Sequence, residues 1–302
     1  MNFEYIKIKK ENESAAEDFI SAYPELELFF SLNESQLLHY YEPELGLFVV
    51  ESPMVIERAL TAGYVPKSFV MVDSVADDMC KKFEKIIKQN NAEFSEDMSI
   101  PIYVGEYETI AKMTGVNITR GVLALMKRRE LPELRELVKD YNRIAVFDDV
   151  ENPTNVGAMF RSAAALGIEA VILTGASSDP LYRRASRVSV GTVFQVPWTK
   201  LGKKYEIDLK KGRAGSYIEQ LHELGFKTAA MALADNSVNI DDKHMKEEEK
   251  LAIILGNEGF GLSEEIVEKS DYVVKIPMKH DVDSLNVAAA CSIAFWEVMK
   301  LS

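Results

Sequence analysis

Short apolar runs alternate with amphipathic stretches along most of the chain. Between residues 47 and 127, LFVVES, SFVMVD and PIYVGE read as strands. MVIERALTAG, a stretch around Asp77–Asn90 and a short segment ending near Gly115 read as helices, the first closed by Gly63. The apolar positions recur at helical intervals in the helices and run together or alternate in the strands. A charged stretch, KRRELPELRELVKDYNR, contains Pro132 and reads as a helical linker over 128–142. From Arg143 the runs become longer and purer: RIAVFDDV, EAVILTG, VFQVPW, KTAAMALA, KLAIILGN and YVVKIPM. Uninterrupted runs of this kind fit parallel strands covered on both faces. Helices are expected between several of them, most clearly over Asn155–Leu166 and Ser284–Lys300. The pattern predicts an α/β chain, with a smaller α/β domain at 47–127 and a larger parallel-sheet domain at 143–302. Residues 1–46 are acidic and mixed, with helical periodicity around Glu17–Ala22 and Ser35–Tyr41.

The length of 302 residues leaves room for two such cores. No apolar run approaches the roughly 20 residues of a membrane span, and MNFEYIKIKK lacks the apolar core of a signal peptide. Cys80 and Cys291 are the only cysteines, too few for a disulfide framework or a cysteine-based zinc site, so a reducing cytoplasm is expected. The net charge of −13 argues against a general nucleic-acid coat. Charge is uneven, however. Residues 1–60 carry 12 acidic and 4 basic side chains, whereas residues 180–215 carry nine lysines and arginines. Such a stretch is compatible with a local polyanion site, and equally with a solvated face.

Polar chemistry collects in three places, each just after an expected strand. ENPTNVGAMFRSAAALG follows the first strand of the larger domain, with Asn155 where a helix N-cap is expected and Gly167 at the helix end. GNEGFGLSEEI follows KLAIIL and sets three glycines around Glu258, with Ser263 and two acids opening a helix. KHDVDSLNVAAACSIAFWE follows YVVKIPM. Loops at the carboxyl ends of parallel strands share one edge of the sheet, where ligands bind. Taken singly, each also has a plain structural reading: Asn155 as a cap, Arg161 on an exposed helix face, the glycines as a tight turn. Their G-x-x-G-x-G order is not a dinucleotide fingerprint, and neither a P-loop, an H-E-x-x-H nor a G-x-S-x-G sequence occurs. The four histidines show no metal-ligand spacing, and no metal is expected.

Together, the ordered set NPTNVGAMFRSA, LGNEGFGLS and IPMKHDVDSLNVAAA resembles the three motifs of the SpoU (TrmH-type) branch of the SPOUT RNA methyltransferases. The likeness spans nearly all of residues 143–302. Residues 47–127 are similar to the L30e-like substrate-binding domain that often precedes this catalytic domain. The resemblance implies a SPOUT domain with a C-terminal trefoil knot, S-adenosylmethionine as cofactor, RNA as partner and a homodimer formed through the knotted domain. It also implies transfer of a methyl group to a ribose 2′-hydroxyl, with ribosomal RNA favoured over transfer RNA because an L30e-like domain suits folded RNA. The rival reading is an RNA-binding protein of the same fold without turnover.

Carried over residue by residue, the resemblance makes Arg161 the catalytic arginine, supported by Asn155, Glu258, Ser284 and Asn286. It places Gly256, Ile276, Leu285 and Asn286 against the cofactor. An arginine is a poor base near neutrality, so an electrostatic role is expected: holding a phosphate and easing the developing alkoxide. Ser284 is expected to cap the last helix as well. Arg183, Arg184 and Arg187 are candidate phosphate contacts, with Arg120, Arg128 and Arg129 as weaker ones. Two departures stand out: His280 replaces a frequent glycine, and Ala288 a frequent serine.

Overall fold

The computed structural model describes residues 2–8, 21, 23–30, 46–90, 99–114, 120–201, 216–280, 282 and 284–299. The helical periodicities expected around Glu17–Ala22 and Ser35–Tyr41 lie outside these residues, Ser21 apart. The chain divides into two units, Met1–Glu130 with Leu181–Phe194, and Leu131–Pro180 with Gln195–Ser302.

In the first unit β1 (Asn2–Lys7), β2 (Leu47–Glu51), β3 (Pro66–Val72), β4 (Ser99–Gly105) and β5 (Val122–Lys127) form one sheet in the order β1-β4-β3-β5-β2. β1 and β3 run parallel to β4, and β5 is antiparallel to β3 and β2. The edge strand β1 comes from the segment expected to be an acidic extension ahead of the module. Helices span Pro53–Thr61, Asp73–Asn90 and Tyr107–Thr114, the second starting four residues before the expected Asp77. Val55, Ile56, Ala59 and Leu60 fall on one face of the first helix and are buried, as the helical spacing requires. Phe69 from the sheet stacks on Phe83 from the long helix, with centroids 5.5 Å apart.

Leu181–Phe194 belongs to this unit, although the sequence pattern assigned it to the larger domain. Its short helix, Arg183–Val188, is tied to the end of β2 by Glu51, which is buried. The Glu51 Oε2 atom accepts from Arg183 Nε at 3.0 Å and from Arg187 Nη1 at 3.5 Å. Val190 then takes a left-handed φ of 56°, costly for a β-branched residue, and its carbonyl accepts from Arg58 at 2.7 Å. Phe194 packs on Phe48 and Tyr64. VFQVPW is therefore not one strand: Thr192–Phe194 is a 3-10 turn held by those rings, and the strand starts only at Trp198.

The second unit carries β6 (Arg143–Asp148), β7 (Ala170–Thr174), β8 (Trp198–Lys200), β9 (Lys227–Met231), β10 (Val238–Asn239), β11 (Leu251–Leu255) and β12 (Tyr272–Lys275). Their order is β10-β12-β9-β11-β6-β7-β8, and every neighbouring pair is parallel. β7 and β11 are buried along their whole length and β6 from Ile144 onward, which is why their sequences show no alternation. Two helices flank the carboxyl edge. Pro153–Leu166 is opened by Asn152 and Pro153 and closed by Gly167, and Val287–Met299 packs along it, with Ser162 Oγ and Ser292 Oγ 2.8 Å apart. Among the described residues no helix is long and apolar enough to cross a membrane.

Candidate active site at the carboxyl edge of the parallel sheet

β6, β11 and β12 end on the same edge, and the loops that follow them meet around Asn155. This residue is not the N-cap. Asn152 fills that place, its side chain accepting from Thr154 N at 2.9 Å, because Pro153 starts the helix one residue later. Asn155 lies in the first turn and is buried, so its amide is free to bond outward. Its Nδ2 donates to Glu258 Oε1 at 2.8 Å, and its Oδ1 accepts from Asn286 Nδ2 at 3.2 Å. Glu258 also accepts from the Asn152 backbone N–H at 3.3 Å. One side chain from each loop thus joins a continuous chain, Glu258–Asn155–Asn286. A buried amide with both ends satisfied fixes its neighbours in orientation.

The last helix is capped by Asn286, whose Oδ1 accepts from Ala288 N at 3.0 Å, and not by Ser284, which is exposed two residues earlier. Its first helical residue is Val287, because Asn286 supplies the side-chain acceptor that Ser284 was expected to give. Leu285 is exposed and Ile276 half-buried on the approach to this cap. His280 has a left-handed φ of 60°, a conformation that favours glycine.

Asn257 was missed by the sequence reading. Its Oδ1 accepts from Gly259 N at 2.8 Å and Phe260 N at 3.1 Å, while its Nδ2 donates to the Asp149 carbonyl at 2.9 Å. One amide therefore shapes the second loop and pins it to the first. The signal was an asparagine inside a glycine turn, a residue that folds its side chain onto nearby backbone. Gly256 is buried against the far side of this turn. A Cβ there would lie 2.6 Å from Gly261 C, so close packing of two backbone segments demands glycine.

Arg161 is exposed on the Pro153–Leu166 helix and makes no hydrogen bond or ion pair among the described residues. Its guanidinium remains available to an anion. The other arginines differ. Arg183 and Arg187 meet Glu51, Arg128 donates to the Leu47 carbonyl, and Arg129 donates to the Ala62 carbonyl and lies 4.3 Å from the Tyr64 ring centre. Arg120 and Arg184 are exposed and unpaired among the described residues. Among those residues, no group of three or more His, Cys, Asp or Glu is placed to hold a metal ion.

Asp148, at the end of β6 beneath the first loop, was also missed. Burial raises its carboxyl to about 6, although the Thr174 hydroxyl donates to it. The buried Tyr217 hydroxyl interacts with the same carboxyl but reaches no hydrogen bond of full geometry. The folded protein holds this proton to higher pH than the unfolded chain, whose carboxyl titrates at about 3.9. The stabilisation is fully present below that value and is lost as pH rises through about 6. Two pKa units correspond to about 3 kcal/mol. Asp148→Asn keeps the acceptor for Thr174 and removes this loss, so denaturant unfolding at pH 4.5 and 7.5 should show a smaller fall in stability for the variant. An unchanged pH dependence would refute the assignment.

The profile of the SpoU rRNA Methylase family matches residues 142–296. An uncharacterized tRNA/rRNA methyltransferase of Mycobacterium bovis is 30% identical over 278 residues, covering 91% of this chain and 88% of that protein. The AdoMet-bound rRNA methyltransferase of Sinorhizobium meliloti superposes with a TM-score of 0.73 at 20% identity, covering 98% of both chains. A solved RNA 2′-O ribose methyltransferase gives 0.67 at 20% identity, again over 98% of both chains. These two structures agree with this chain in fold. With the profile spanning the sheet and all three loops, and the relative matching along nearly the whole length, the chain belongs to the SpoU rRNA methylase family, the SpoU/TrmH group of RNA methyltransferases.

Proposed function

We propose that this chain is a cytoplasmic RNA methyltransferase that transfers the methyl group of S-adenosylmethionine to a ribose 2′-hydroxyl. The Glu258–Asn155–Asn286 chain, centred on a residue of the helix that also carries Arg161, which has no partner among the described residues, is the observation that supports this reading most. Ribosomal RNA is the favoured substrate: the family description names it, and the first unit is read as an L30e-like domain suited to folded RNA. In this reading the carboxyl edge of the second unit's sheet is the knotted end of the fold.

The donor set fits the cofactor. Ile276, Leu285 and the backbone beside Gly256 offer apolar contact and peptide groups, and Asn286 adds a directing amide, a combination suited to a nucleoside. Bound S-adenosylmethionine supplies an already activated methyl group. The protein's own task is then orientation and charge. Asn155 and Asn286 fix the relative positions of the loops, and Glu258 holds the Asn152 backbone and the Asn155 amide. Arg161 grips a backbone phosphate of the RNA and stabilises charge growing on the 2′-oxygen, whose proton leaves to phosphate or water. Arg120 and Arg184, unpaired among the described residues, would meet further phosphates, whereas Arg183, Arg187 and Arg128 are held by protein partners.

The test is to incubate the protein with labelled S-adenosylmethionine and total RNA from cells lacking it, then map 2′-O-methyl nucleotides. A new ribose methylation at one position supports the reading. Cofactor binding without incorporation into any RNA favours a binding protein that kept the fold.

A homodimer through the second unit completes the proposal. Ala289, Ile293 and Trp296 form an exposed, mostly apolar stripe along the last helix. Ile293→Glu should shift sedimentation from dimer to monomer without unfolding the chain. A variant as dimeric as the wild type would move the interface elsewhere.

A further inference from the structure

Phe260 is 95% exposed, whereas the next most exposed large apolar side chain among the described residues, Trp296, reaches 57%. Nothing in its own turn calls for an aromatic ring there. The turn is made by Asn257, whose side chain accepts from Gly259 N and Phe260 N, and by the paired backbones of Asn257 and Gly261. A polar residue would serve that geometry equally well and would suit solvent better. The Phe260 ring makes no ring contact among the described residues, while its backbone is held at 3.1 Å by Asn257. It is therefore a ring on a fixed stem.

Its place in the site gives the ring a use. Phe260 lies two residues after Glu258, which bonds Asn155, and Leu285, also exposed, directly precedes Asn286 at the other end of the same chain. Two exposed apolar side chains thus flank the polar groups to which a target ribose must come. In an RNA duplex the base next to that ribose stays stacked. A nucleotide drawn from a loop or bulge has lost that stacking, and an exposed aromatic ring replaces it.

Resting on the methyltransferase reading above, we propose that Phe260 is a stacking platform for an unpaired base at or beside the methylated nucleotide. It selects unpaired over paired RNA. Because every base has a π-face, the ring reads the unpaired state more than the base identity.

The test uses the full chain as wild type, Phe260→Ala, Phe260→Leu and Phe260→Trp. Substrates are total RNA from cells lacking the protein, and an RNA fragment bearing the mapped nucleotide, given either unpaired or annealed to a complementary strand. For the unpaired RNA, Phe260→Ala should lower kcat/KM by about 10- to 100-fold, mainly through KM. Phe260→Trp should restore it and Phe260→Leu should not, since leucine is apolar without a π-face. The preference for unpaired over annealed RNA should shrink in Phe260→Ala, with cofactor affinity and sedimentation unchanged. Wild-type kinetics in Phe260→Ala, or full rescue by leucine, would overturn the platform. Weakened cofactor binding would instead assign the ring to the cofactor, and a changed sedimentation state would assign it to a second copy of this chain; either overturns the proposal. If the wild type methylates no RNA at all, the functional reading fails and the platform with it.

Discussion

Arg161→Ala should fold as the wild type does, bind S-adenosylmethionine with unchanged affinity, and lose about 10²- to 10³-fold in turnover, the usual cost of removing one electrostatic contact to a developing oxyanion. The separation of these readouts follows from its surroundings. Arg161 is exposed at a helical position and has no partner among the described residues. Its loss leaves no buried group unsatisfied, and alanine is the better helix former by a few tenths of a kcal/mol. Thermal stability should stay level or rise slightly. Asn155 and Glu258 bond each other directly, so their arrangement does not depend on the guanidinium. Arg161→Lys keeps the charge but loses the planar fork, and should recover part of the turnover. Steady-state methyl transfer alongside calorimetric cofactor titration separates the possibilities. A turnover within twofold of wild type in Arg161→Ala would remove the arginine from the reaction.

The sequence made the parallel sheet legible because a strand covered on both faces writes itself as an unbroken apolar run. LAIIL and RIAVFD are such runs, the first buried throughout and the second from Ile144 onward. It also placed polar chemistry after β6, β11 and β12, since strand ends and glycine turns are local signals. Three-dimensional pairing was less readable. Asn155 looked like a cap because an asparagine near a helix start usually is one, yet Pro153 set the start earlier and freed its amide for Glu258 and Asn286. The same exchange of roles occurred between Ser284 and Asn286. VFQVPW failed as a strand because Phe194 is drawn to Phe48 and Tyr64, far away in sequence. β1 went unseen because its partner β4 lies about 97 residues on, and pairing of that range leaves no local trace. Arg183 and Arg187 illustrate the limit for charge: a basic run does not show that a buried Glu51 takes two of its members.

Gly256→Ala should be the most damaging single-methyl change in the second loop, with turnover falling about 10²-fold, the scale set by roughly 1 Å of misplacement at a reacting centre. The added Cβ would stand 2.6 Å from Gly261 C, 2.7 Å from Gly261 O and 2.7 Å from Leu262 N. All three are backbone atoms, so no rotamer change relieves the contact. The turn must open. That breaks the paired bonds between Asn257 and Gly261, at 3.2 and 3.0 Å, and draws Glu258 away from the Asn155 amide. Forcing a methyl into a packed site costs about 1–3 kcal/mol of stability as well. The neighbouring glycines give an internal scale. A Cβ on Gly259 meets only Asn257 Oδ1 at 3.4 Å, ordinary contact, so Gly259→Ala should be nearly silent. Gly261 has open space around it but a φ of 72°, and alanine there should cost about 1 kcal/mol of stability while leaving the turn closed. Methyl transfer by the three variants should therefore rank Gly259→Ala above Gly261→Ala, and both far above Gly256→Ala. If Gly256→Ala were as active as Gly259→Ala, the close contact between the two backbone segments would not be what holds Glu258 in place.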